Sequence, residues 1–127
     1  MTAVYAEIKD HLRKQNNLLY FDEVLFTGVL KSEEDGYLLE KHYCNGIPHG
    51  IHKTYYSTGQ LREASIFTNG LKNGRNIVYF ECGAKKLNTN YSAGELDGIC
   101  EEWDNNGRQM SRKTYYKGKL IAVNPKF

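Results

Sequence analysis

Residues 50–74 read GIHKTYYSTGQLREASIFTNGLKNG, and four glycines divide the stretch: Gly50, Gly59, Gly70 and Gly74. The gaps between them are 9, 11 and 4 residues. The same gaps recur from Gly74 through Gly83 and Gly94 to Gly98, and 9 and 11 recur once more through Gly107 to Gly118. An earlier unit starts at Gly28 and runs through Gly36 and Gly46, one residue shorter in each long gap. All twelve glycines of the 127-residue chain lie on this grid. A fixed period of 24 residues marks a tandem array in which each unit is one supersecondary element stacked on the next.

Other columns follow the glycines. Tyr55, Tyr79 and Trp103 stand five residues after the unit glycine, and Phe67, Tyr91 and Tyr115 stand seventeen after it, with Tyr43 in the matching place of the short unit. Asn or Asp precedes six of the glycines, as in Asn45-Gly46 and Asn69-Gly70, and such pairs supply the positive φ that tight hairpin turns need. Gly46, Gly59, Gly70, Gly83, Gly94 and Gly107 are therefore read as structural turns. Between them lie strand-length segments: 51–56, 61–67, 75–80, 85–91, 99–104 and 109–116. The expected fold class is all-β, a single antiparallel meander of roughly ten strands built from β-hairpin repeats. An even period keeps each aromatic column on one face, so the columns are read as sheet packing and not as a ligand cage.

The units beginning at Gly28, Gly50, Gly74 and Gly98 make residues 28–127 the repeat sheet, and residues 1–27 an N-terminal cap with the first strand, all in one domain. Within the cap, a helical turn is expected around Ile8 to Leu12, a break at Asn16-Asn17 and the first strand at Leu18 to Phe21. A closing strand is expected from Lys119 to Val123, ended by Pro125.

Composition narrows the function. Seventeen basic against fifteen acidic residues leave +2, too balanced for the one-sided field of a dedicated nucleic-acid binder. Apolar stretches such as 18–21 and 24–26 fall far short of the ~20 residues of a membrane-crossing helix. The first ten residues contain Glu7, Lys9 and Asp10 and no apolar run, so no secretory signal is read and the cytoplasm is the expected location. Cys44, Cys82 and Cys100 form no Cys-x-x-Cys pair and are expected to be free thiols.

The pattern Gly-x4-Tyr-Tyr-x-x-Gly-Gln-Leu-x-Glu, followed by Phe-x-Asn-Gly-x-x-x-Gly in residues 50–74, resembles the variant MORN repeat of bacterial YwqK-type antitoxins. The opening Leu18-Leu19-Tyr20-Phe21 and Leu25-Phe26-Thr27-Gly28-Val29 is similar to that family's first strand and Phe-Thr-Gly turn. Roughly residues 8–120 are covered. The resemblance implies a MORN-like repeat sheet and an immunity protein that binds and neutralises a cognate toxin delivered between bacteria. MORN-like repeats also occur in membrane-linked scaffolds, which leaves attachment to a membrane or a complex as the alternative.

No sequence signature groups a nucleophile with a base, and no phosphate-binding loop is present, so no enzyme activity and no cofactor are expected. His42, Cys44, His49 and His52 are close in sequence but lack the spacing of a zinc module, and no metal is expected. Charge is more informative. Glu95, Asp97, Glu101, Glu102 and Asp104 contain no Lys or Arg among them, whereas Arg108 to Phe127 holds six basic residues, Lys126 included, and no acidic one. One reading is cross-strand pairing between adjacent strands. The other is an acidic patch that meets the basic surface of a secreted effector toxin domain and occludes its active site, with no nucleic acid or membrane as partner. On that reading the five carboxylates, with Trp103, Tyr56 and Phe80, are the candidate partner-binding residues.

Overall fold

Glycine-marked turns of two kinds line the two edges of one sheet, the two-residue turn Asp35-Gly36 alone standing among the five-residue turns. In Asn69-Gly70 both residues have positive φ, 50° and 86°, the type I′ geometry whose twist matches that of the flanking strands. The same geometry recurs at Asp35-Gly36, Asn45-Gly46, Ala93-Gly94 and Lys117-Gly118. The other turns span five residues. The Tyr56 N–H donates to the Gln60 carbonyl and the Gly59 N–H to the Tyr56 carbonyl, both at 2.9 Å. Phe80 to Ala84 and Asp104 to Arg108 repeat this arrangement.

A computed structural model describes residues 1–124 of the chain, so Pro125 and Lys126 lie outside the described residues. The strands are β1 (Thr2–Val4), β2 (Leu12–Gln15), β3 (Leu18–Phe21), β4 (Val24–Leu25), β5 (Gly28–Glu34), β6 (Tyr37–Cys44), β7 (Ile47–Pro48) and β8 (Gly50–Tyr55). They continue as β9 (Leu61–Thr68), β10 (Leu71–Lys72), β11 (Gly74–Tyr79), β12 (Lys85–Ser92), β13 (Glu95–Leu96), β14 (Gly98–Trp103), β15 (Gln109–Tyr116) and β16 (Lys119–Val123). The main sheet runs β1-β5-β6-β8-β9-β11-β12-β14-β15-β16, with the two-residue strands β7, β10 and β13 pairing beside this path. From β5 onward it is an antiparallel meander of successive hairpins. The closing strand coincides with the expected Lys119 to Val123.

Each unit glycine stands directly opposite the next aromatic of its column: Gly28 opposite Tyr43, Gly50 opposite Phe67, Gly74 opposite Tyr91 and Gly98 opposite Tyr115. A bare backbone faces a ring at each of these pairs, which is how aromatic side chains compensate strand glycines. The units are also fastened at their corners. The N–H of Gly70 donates to Pro48 O, that of Gly94 to Lys72 O and that of Gly118 to Leu96 O, each at 2.8 Å. The preceding N–H is held by a side chain of the earlier unit: Asn45 by Thr27 Oγ1, Asn69 by His49 Nδ1 and Ala93 by Asn73 Oδ1.

The cap departs from expectation. The 3-10 turn at Lys9–His11 falls within the expected 8–12, but α1 (Tyr5–Ile8) begins three residues before that range and Leu12 already belongs to β2. Leu18 to Phe21 is a strand but the third one, because β1 and β2 precede it. Asn16 and Asn17, both at positive φ, form the turn between β2 and β3. β1 pairs in parallel with β5, an exception to the meander made possible because the whole β2-β3-β4 sheet intervenes between them in sequence. The apolar core sits here, where Ala3, Leu19, Phe26 and Leu30 are buried with Ile8, Leu12, Phe21 and Tyr43 packed around them.

Candidate protein interaction site

The ladder registers sort the side chains of the repeat sheet onto two faces. Leu30 and Tyr43, which touch the cap, define one of them. Alternation and cross-strand pairing place His52, Ser65, Phe67, Asn76, Thr89, Tyr91, Glu102, Lys113 and Tyr115 on this cap face. Its aromatic members continue from the core: the Phe26 ring meets Tyr43 edge-on at 5.8 Å, and His52 packs tilted against Phe67 at 4.4 Å. Farther along, the buried side chains are polar. The Ser65 hydroxyl bonds Asn76 Oδ1, the Asn76 amide donates to Glu63 Oε2 at 3.2 Å, and the Thr89 hydroxyl reaches Asn76 O at 3.4 Å. These partners satisfy groups whose burial is otherwise costly.

His52 is the titrating member of this ladder. Burial lowers its pKa below the usual 6.5; the hydrogen bond to His42 O at 2.9 Å opposes that shift, and the charges of Lys41 and His42 add to it. Below pH 6.5 the unfolded chain therefore takes up a proton that the folded chain refuses, and stability falls as the pH drops from neutrality through the folded pKa. Melting temperatures measured from pH 7.5 to pH 5 are expected to fall more steeply for the parent than for His52→Gln. Parallel curves would remove His52 from the pH dependence. Tyr43 is shifted upward, by burial first and then by Glu34, so its phenol stays neutral.

Among the described residues, the opposite, open face carries no second layer. Leu38, Ile51, Ile66 and Ile99 project from it and are between 37% and 46% exposed. Ile51 stands directly opposite Ile66, and Leu38 opposite Tyr55. Ile77, Asn88, Glu101 and Arg112 share this face. The Ile51–Ile66 pair is open to sequence reasoning, because Ile66 adjoins Phe67 and Ile51 adjoins Gly50. Once the aromatic column fixes one face, its immediate neighbours must occupy the other.

The carboxylates are spread across the width of the sheet and do not form one patch. Glu95 is exposed at the two-residue-turn edge, and Asp104 lies at the five-residue-turn edge, so the length of β14, roughly 20 Å, separates them. Asp97 is half-buried just before Gly98. Glu101, on the open face, accepts hydrogen bonds from Asn88 at 3.2 Å and Gln109 at 2.8 Å and stands opposite Arg112. Glu102 is exposed on the cap face beside a hollow of about 180 Å³ that Cys100, Lys113 and Tyr115 help to line.

Strand alternation from the sequence puts Asp104 on the same face as Glu102, but Asp104 follows the end of β14 and belongs to the turn. There its carboxylate accepts the N–H groups of Asn106 and Arg108 at 2.9 and 3.0 Å. Trp103 closes β14 half-buried, where the register with β15 shifts by one residue. The Tyr56 hydroxyl donates to Tyr79 O at 2.6 Å, tying one unit to the next, and the Lys86 ammonium sits 5.6 Å from the Phe80 ring centre. Tyr56 and Phe80 come together with Glu81, Cys82 and Asn105 around an open hollow of about 520 Å³ along the five-residue-turn edge.

His49 Nδ1 accepts the Asn69 N–H and His52 bonds a carbonyl, so these imidazoles serve the backbone. Among the described residues no three His, Cys, Asp or Glu side chains group as metal ligands. No helix there is long and apolar enough to cross a membrane. No family model matches the chain, and comparison with curated proteins finds no match either.

Proposed function

We propose that the chain is a bacterial immunity protein, acting in the cytoplasm, that neutralises a cognate toxin by binding it directly and occluding its active site. The observation that carries this reading is the exposed cross-strand pair Ile51 and Ile66, with Leu38 and Ile99 also exposed elsewhere on the same face of the sheet. Exposed apolar groups arrayed on a face are the usual anchor of a protein contact. The resemblance of residues 50–74 to antitoxin repeats supplies the class of partner. Glu95 and Glu102, exposed and without ion pairs among the described residues, are the carboxylates available to a basic toxin surface.

The test is to read the neighbouring gene for a secreted protein with a toxin domain, whose absence would weaken the reading, and to co-express that domain with this chain. Parent protein is expected to restore growth and to bind the purified domain. Ile51→Glu combined with Ile66→Glu is expected to weaken that binding by at least about tenfold, because two charges must then be desolvated in the interface. Both positions are exposed strand sites where stability changes are modest, so thermal melting should still show a folded protein. Growth arrest despite folded parent protein would overturn the immunity reading. Unchanged affinity of the double variant would move the contact off the open face.

A further inference from the structure

Among the described residues the repeat sheet ends on an apolar strand. β16 is last in the strand order, no described strand pairs with its outer side, and all five of its residues are exposed. Leu120, Ile121 and Val123 are each at least 50% exposed. The opposite end of the sheet differs, because Ala3 of β1 is buried in the cap core. Terminal units of repeat arrays ordinarily turn a polar surface outward, and an uncovered apolar edge is a template for another strand.

The backbone of that edge is set for pairing. The Asn124 N–H donates inward to Arg112 O at 2.9 Å, so by alternation the N–H and C=O of Val123 point away from β15. Charge then selects the occupant. Residues 108–124 carry Arg108, Arg112, Lys113, Lys117 and Lys119 and no carboxylate, and none of the five makes an ion pair among the described residues. A second copy would bring five more cations to the seam. Lys119 and the extra residue at Ile121, where the register with β15 shifts, are devices that discourage indiscriminate edge pairing. Toward an acidic strand the same lysine becomes a contact.

We propose that β16 is the docking edge for an extended acidic segment of a partner protein, which adds to the sheet as its next strand. Strand addition of this kind takes affinity from main-chain hydrogen bonds and selectivity from the flanking side chains. The edge is separate from the open face and serves a partner whether or not that partner is a toxin.

The probe is a fluorescent peptide alternating glutamate with valine, compared with one alternating lysine with valine. The glutamate peptide is expected to bind at least about tenfold more tightly and to weaken as salt is raised. It should shift NMR resonances in β15 and β16 and slow amide exchange in β16. Val123→Pro removes an outward donor and should abolish binding. Lys113→Glu with Lys119→Glu retains the strand and should reverse the preference between the two peptides. Absence of binding by the glutamate peptide, or equal binding of both peptides, would overturn the proposal. So would a concentration-dependent doubling of mass that Val123→Pro removes, since the edge would then belong to a second copy.

Discussion

Replacing Phe26 by alanine is expected to lower the unfolding free energy by about 3–5 kcal/mol, the range for truncating a fully buried aromatic side chain. Phe26 is 1% exposed and the largest fully buried side chain of the protein's described residues. It fills the space between Leu19 of the cap and Leu30 of the first repeat strand, with Tyr43 edge-on against it. Its backbone joins the same parts: the N–H donates to Leu19 O at 2.9 Å and the carbonyl accepts the Gly46 N–H at 2.7 Å. The repeat sheet beyond has polar groups where a two-layer protein has its core, so little apolar burial compensates for the lost ring. Because repeats interact with their neighbours, the damage should be graded along the chain. Amide exchange is expected to accelerate most in residues 1–46 and least in β14 and β15. Urea denaturation gives the overall loss, and a value under about 1 kcal/mol would show that the cap does not depend on this ring.

Gly46→Val is expected to cost roughly 2–6 kcal/mol, from strain at positive φ and from overpacking. Gly46 has φ +79°, and a Cβ there would lie 2.8 Å from Leu19 O and 2.9 Å from Leu25 Cδ2, one a backbone atom that cannot yield cheaply. Gly70 occupies the same kind of turn at φ +86° but meets only Ile47 Cγ2 at 3.1 Å, and Gly36 meets nothing within 4 Å. Gly70→Val should therefore cost about 1–3 kcal/mol and Gly36→Val no more than that, strain alone being common to all three. Denaturation of the three variants measures the order. Equal losses would mean that the cap does not crowd Gly46.

The turn grid and strand segments were legible in the sequence because glycine and Asn-Gly pairs act locally: 61–67, 85–91 and 109–116 became β9, β12 and β15 within a residue or so. The cap was less legible. Thr2–Val4 is three residues long, too short to display alternation, and its parallel pairing with β5 depends on a contact across the β2-β3-β4 sheet that no local pattern encodes. The site was legible as composition and, through strand alternation, in the parting of Glu101 from Glu102, but not in its extent. Five carboxylates close in sequence invite the picture of a patch, but a strand carries its residues across the full width of a sheet and alternates them between faces. Glu101 and Glu102 thus part company, and Asp104 is absorbed by its turn.

The corner bonds between units bear on how such a chain can change in length over generations. Each corner needs three things in register: a turn glycine, a carbonyl two residues before the earlier unit glycine, and a side-chain acceptor immediately before that glycine, as Thr27, His49 and Asn73 provide. Asp97 occupies the equivalent place before Gly98. Duplicating or deleting a whole unit reproduces every corner, and the 22-residue first unit keeps its corner because each of its two long gaps is shorter by one, whereas an insertion into one long gap alone shifts a turn away from its acceptor. Genes of this design are therefore free to grow or shrink by pairs of strands, and recombination between units yields sheets of new width without a new turn having to be invented.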